Sequence, residues 1–135
     1  MKLKTIFLLI ILLFLIKVST YADTFVLRPE SFFDVGTWTA ETADEAFAGI
    51  TLKGMIDRKV INTSPAKAKI SVVQGGNYKI YVRTRDFPTF PGTRNFKLRI
   101  NGVLNDFVFG NLGFDGWGWQ MLDNIPLNQG ENLIE

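Results

Sequence analysis

Two tryptophans spaced two apart, Trp117 and Trp119, and the run Arg83-Thr84-Arg85-Asp86 carry the residue types in this chain best suited to chemistry. In an extended segment residues i and i+2 share a face, so both indoles would point the same way. Exposed indoles stack against the apolar face of a sugar ring at low entropic cost, and each ring N–H can reach a hydroxyl. The competing use of such a pair is to seal the end of a β core. Arg83 and Arg85 supply planar donor forks that suit a carboxylate or vicinal hydroxyls. With Asp86, Asp106 or Asp115 they can equally form an internal network that pins neighbouring loops. Phe87 and Phe90 either widen an aromatic rim or anchor their loop. The ligand-binding candidates are therefore Trp117, Trp119, Arg83, Arg85 and Asp86.

This chemistry is that of a surface that binds. The chain has no histidine and no cysteine. Imidazole acid–base catalysis, Ser-His and Cys-His nucleophiles and the usual zinc and copper ligand sets are thereby removed. Glycoside hydrolysis needs two carboxylates across a cleft, one of them raised in pKa. The sequence singles out no such pair, and no catalytic residue is assigned.

The elements that must position these groups read as strands. Ala68, Ile70 and Val72 alternate with polar residues, and Gln74-Gly75-Gly76-Asn77 turns the chain. Tyr78–Arg85 then places Tyr78, Ile80, Val82 and Thr84 on one face and Lys79, Tyr81, Arg83 and Arg85 on the other. Asp86–Thr93 is a loop by its two prolines and glycine. Phe96, Leu98 and Ile100 form the next inward row, and Asn101-Gly102 is a strong hairpin signal. Trp119–Leu127 forms a further strand, interrupted or ended by Pro126. Thr24–Leu27 reads as a first strand, Trp38 as core, Ile50–Gly54 as a short strand, and Ala43–Ala48 as a weak helical signal. The class is all-β, an antiparallel β-sandwich.

Lys2 and Lys4 precede an unbroken apolar run from Ile6 to Ile16, followed by Lys17 and a small residue, Ala22. That is a secretory signal pattern, and eleven residues are too few for the roughly 20 that span a bilayer. Residues 1–22 are thus expected to be a cleaved leader and 23–135 the mature module, secreted or periplasmic, with no membrane association after cleavage. The alternative is a retained N-terminal anchor. Without the leader, Lys+Arg falls from 15 to 12 (Lys2, Lys4 and Lys17) against 13 Asp+Glu, a balance of about −1. No clustered basic footprint remains for nucleic acid. The alternating run at Asn132-Leu133-Ile134-Glu135 reads as a short terminal strand that leaves a sheet edge poorly covered. The module is accordingly expected to lack the rest of its C-terminal strand or strands.

The segments VRTRDF, RNFKLRINGVLNDFVFG and GFDGWGWQ, with Pro29-Glu30-Ser31-Phe32 and Gly36-Thr37-Trp38 before them, resemble a known module. It is the N-terminal β-sandwich of certain secreted bacterial FAD-dependent oxidoreductases, similar to modules that accompany polysaccharide-processing enzymes. The resemblance implies a galactose-binding-like or carbohydrate-binding jelly roll that holds a polysaccharide or oligosaccharide and tethers a catalytic domain of the parent protein. It also implies a structural calcium with Glu30 as one ligand, although the family's late Asp has no counterpart here; Asp34, Asp115 and Asp123 are the other carboxylates expected near loop ends. No other cofactor is expected, because no G-x-G-x-x-G occurs and Gly113, Gly116 and Gly118 have the wrong spacing. Two rival readings stand beside the accessory module. One is the remnant of a flavin oxidoreductase with no activity of its own, and the other is a spacer without ligand.

Overall fold

The computed structural model describes residues 24–43, 46, 49–54, 64–86 and 94–135. The expected leader, the loop 87–93 with Phe87 and Phe90, and much of the Ala43–Ala48 segment lie outside the described residues. Nine strands are present among the described residues: β1 (Phe32–Asp34), β2 (Thr39–Thr42), β3 (Ile50–Lys53), β4 (Lys67–Val72), β5 (Gly76–Asp86), β6 (Arg99–Ile100), β7 (Val103–Leu104), β8 (Gly116–Leu127) and β9 (Gly130–Ile134). A single 3-10 turn at Pro29–Ser31 precedes β1.

All pairings are antiparallel. One sheet has the order β1-β4-β9-β6-β7, a second is the long pair β5-β8, and β2-β3 form a separate ribbon. The first two sheets close on each other because period-two alternation gives each an apolar side. Val72, Ile100 and Ile134 from the five-stranded sheet meet Leu122, Ile125 and Leu127 from β8 in one buried cluster. Each such side chain contributes on the order of 1.5–3 kcal/mol by leaving water. Phe109 is fully buried among them, stacked on Phe96 at 5.4 Å and met edge-on by Phe107 at 4.8 Å. Trp38 packs edge-on against Phe96 at 5.8 Å and is half-buried. The result is the antiparallel sandwich that the alternation implies.

The hairpin signal at Asn101-Gly102 is realised as the β6–β7 turn, with positive φ at both residues (50° and 83°), as a twist-matched two-residue turn requires. Three sequence expectations change. Thr24–Leu27 enters no ladder, and of these residues Leu27 packs against the core. The weak helical signal at Ala43–Ala48 lies mostly outside the described residues; within them, Ala46 N–H donates to the Ala43 carbonyl and Gly49 N–H to that of Ala46. Most consequential, Gly130–Ile134 is not an edge strand: it lies in the middle of its sheet, between β4 and β6. Alternation assigns a strand a face but says nothing about which neighbours it will have. Pro126, for its part, does not end β8, which runs through it opposite Asn77. A strand paired on one side leaves alternate amides outside the ladder and so tolerates proline.

Buried Asn132 locks β9 in place. Its Oδ1 accepts from Asn101 Nδ2 and the Asn128 N–H, both at 2.8 Å. Its Nδ2 donates to the carbonyls of Asn128 (2.8 Å) and Gly130 (3.0 Å). A fully buried amide thus has two donors and two acceptors satisfied.

Candidate functional site

The ladder of β5 with β8 sets the site. Its register places Arg85 opposite Trp117, Arg83 opposite Trp119 and Tyr81 opposite Met121. These six side chains share one sheet face, because their inward neighbours Val82, Thr84 and Leu122 are the ones packed toward the interior. Trp119 is 54% exposed, Tyr81 60% and Met121 40%, so this face is an open apolar patch. Trp117, Arg83 and Arg85 are half-buried. The Arg83 guanidinium carbon lies 5.8 Å from the Trp117 ring centroid and 5.7 Å from that of Trp119, within cation–π range of both.

The outward face of the five-stranded sheet is different in kind. It is laced by ion pairs, Lys67–Asp34 at 3.4 Å, Lys69–Glu131 at 2.8 Å and Arg99–Glu135 at 3.9 Å. Lys69 also lies 5.7 Å from the Phe33 ring. Such charges satisfy one another and leave a solvated surface. The indoles and the broad aromatic area belong to the β5–β8 face alone of the two.

Two buried devices fix the end of that face. Asp86, on the inward side, is fully buried. Its Oδ2 accepts the backbone N–H groups of Leu112 (2.9 Å) and Gly113 (3.1 Å). Thr84 donates its hydroxyl to Gln120 Oε1 at 2.9 Å, and the same oxygen accepts the Gly110 N–H at 2.8 Å. Together they tie the 110–115 loop to β5 and β8 just before Trp117. Gly110 has φ +83°, and a Cβ there would run into the carbonyl of Arg94. Leu112 and Phe114 lie against the space left by Gly118, which a side chain would crowd.

Of the residues singled out by sequence, Arg83, Arg85, Trp117 and Trp119 are brought together on one face. Asp86 ends the same strand but turns inward, where it organises the loop amides. Glu30 stands exposed in the 3-10 turn before β1. Among the described residues no group of three or more Asp, Glu, His or Cys side chains is placed to hold a metal ion. Asp34 accepts the Gly36 N–H and pairs with Lys67.

Sequence reasoning had placed Tyr81 outward without naming it as a site residue, and it passed over Met121 and Arg94. The first two carry an alternation signal that could have found them. Arg94 carries none, since a turn brings it near Arg85, Asp86 and Asp115. Its guanidinium is held below its ordinary pKa by burial first and by Arg85 next, with Asp86, Asp115 and Glu41 opposing.

No family model matches the chain, and no curated protein does. Among solved structures the chain is similar to a family 35 carbohydrate-binding module from Clostridium thermocellum, with a TM-score of 0.57 and 18% identity over 78% of each chain. At that identity the likeness concerns the fold, which is the sandwich already described.

Proposed function

We propose that this protein is a non-catalytic carbohydrate-binding module whose ligand lies on the outer face of β5–β8. The observation that carries the reading is the exposed indole of Trp119, set beside Tyr81 and bordered by Arg83 on a flat strand surface. Flat aromatic area stacks on the apolar face of a sugar ring, and guanidinium donors beside it take hydroxyls or a carboxylate. The fold likeness to a carbohydrate-binding module supports the same reading. Such a module acts by tethering. Residues 1–22 direct its export to the periplasm or exterior, and a catalytic partner lies elsewhere in the parent protein. For that partner the sequence resemblance points to a FAD-dependent oxidoreductase.

Affinity electrophoresis of the full chain through gels containing soluble xylan, galactomannan or polygalacturonate tests this. Retention in at least one gel is expected, with Trp119→Ala running as a non-binding control does while its thermal midpoint stays within about 3 °C of wild type. Migration unchanged in every gel would leave a spacer without ligand as the better description.

A further inference from the structure

The two indoles of the proposed site are not equivalent. Trp119 keeps an open surface, whereas Trp117 is half-buried and its Nε1 is enclosed with no hydrogen-bond partner among the described residues. Arg83 stands directly opposite Trp119 and diagonal to Trp117, so its guanidinium lies over the gap between the rings at nearly equal distance from each. Arg85, opposite Trp117, flanks that ring further along the strand. An indole with its donor enclosed and its ring beneath a guanidinium is used for its face and not for its N–H.

We propose that Trp117 is a positioning residue that holds Arg83 in place, and that Arg83, not Trp117, touches a sugar ring stacked on Trp119. The proposal rests on the carbohydrate reading above and assigns roles within it. Stacking alone leaves a sugar free to rotate on an aromatic surface. A planar fork fixed beside Trp119 removes that freedom by donating to two adjacent hydroxyls of the stacked ring. The ligand class that follows is a glycan with a vicinal hydroxyl pair at the edge of its stacking face. Sugars that lack the pair, or splay it, are disfavoured, because they cannot accept from both N–H groups of the fork at once.

A double-mutant cycle in the full chain decides the matter, with affinity read from retardation in gels of the polysaccharides named above and folding checked by near-ultraviolet circular dichroism. Arg83→Ala and Trp117→Ala are each expected to weaken binding roughly tenfold, and the double variant to bind no more weakly than Arg83→Ala alone. Trp117→Phe keeps a ring beneath the guanidinium and should restore binding to within about threefold of wild type. Losses that multiply in the double variant, roughly a hundredfold together, would overturn the proposal while leaving the carbohydrate reading intact. So would a Trp117→Phe loss as deep as that of Trp119→Ala. Should Trp117→Ala fail to fold, the Phe variant and Arg83→Ala still decide. A wild-type chain retained by none of the gels, or one indifferent to Trp119→Ala, defeats the carbohydrate reading and this proposal with it.

Discussion

Asn132→Leu removes four hydrogen bonds from the middle of the five-stranded sheet while keeping the Cγ-branched outline of the side chain in a bulkier, apolar form. Asn132 is fully buried and holds Asn101 Nδ2, the Asn128 N–H, the Asn128 carbonyl and the Gly130 carbonyl, all within 3.0 Å. At a net ~1 kcal/mol per bond the gross loss is about 4 kcal/mol. Asn101 and Asn128 are exposed, so part of what they lose is recovered from water. The added apolar burial returns a further fraction. The expected destabilisation is therefore about 2–4 kcal/mol, which for a domain of this size lowers the thermal midpoint by roughly 10–20 °C. Thermal unfolding of the full chain by circular dichroism reads it. Asn132→Asp is the control for shape: it keeps the acceptor oxygen and turns the two donors into an oxygen facing two carbonyls, so it should destabilise as well. A Leu variant within about 3 °C of wild type would show that volume, and not this hydrogen-bonding hub, holds β9 between β4 and β6.

Other perturbations test other parts of the molecule. Asp86→Ala leaves the amides of Leu112 and Gly113 without their acceptor. Charge-assisted bonds contribute about 1.5–3 kcal/mol each, so the 110–115 loop should loosen and limited proteolysis should cut there first; an unchanged cleavage map would contradict this. Gly110→Ala combines a positive φ with a collision against the Arg94 carbonyl, and should cost more than the ~1–2 kcal/mol of backbone strain alone. A midpoint shift under about 3 °C would speak against that close approach. The Asp34 carboxyl is held below its ordinary 3.8, chiefly by the Gly36 N–H and then by Lys67. Because its folded pKa is the lower one, its stabilisation is present above about pH 4 and fades as pH falls through the folded value. Urea midpoints measured across the acid range should thus decline less steeply for Asp34→Asn than for wild type.

Much of this architecture is written locally. Ala68 and Val72 alternate with Lys67 and Lys69, and the strand they predict buries the apolar pair. Tyr78–Arg85 sorts its arginines outward as period two requires, and Asn101-Gly102 turns where its backbone preferences say it should. These features follow from steric and solvation rules acting over two to four residues, so the chain determines them without reference to distant partners. Composition likewise decides that neither imidazole nor thiol chemistry takes place here.

What the tertiary structure decided is neighbourhood. Gly130–Ile134 became a central strand because β4 and β6 both found it, a pairing between segments about 30 or more residues apart that alternation does not encode. Alternation beyond Thr84 and Arg85 turns Asp86 inward, but that its buried carboxylate is satisfied there was decided by the loop amides of Leu112 and Gly113. Trp117 and Trp119, identical in type and facing the same way, differ in exposure, the first half-buried with its Nε1 enclosed and the second 54% exposed. Local sequence sets which way a side chain points; exposure and partnership depend on what long-range packing lays beside it.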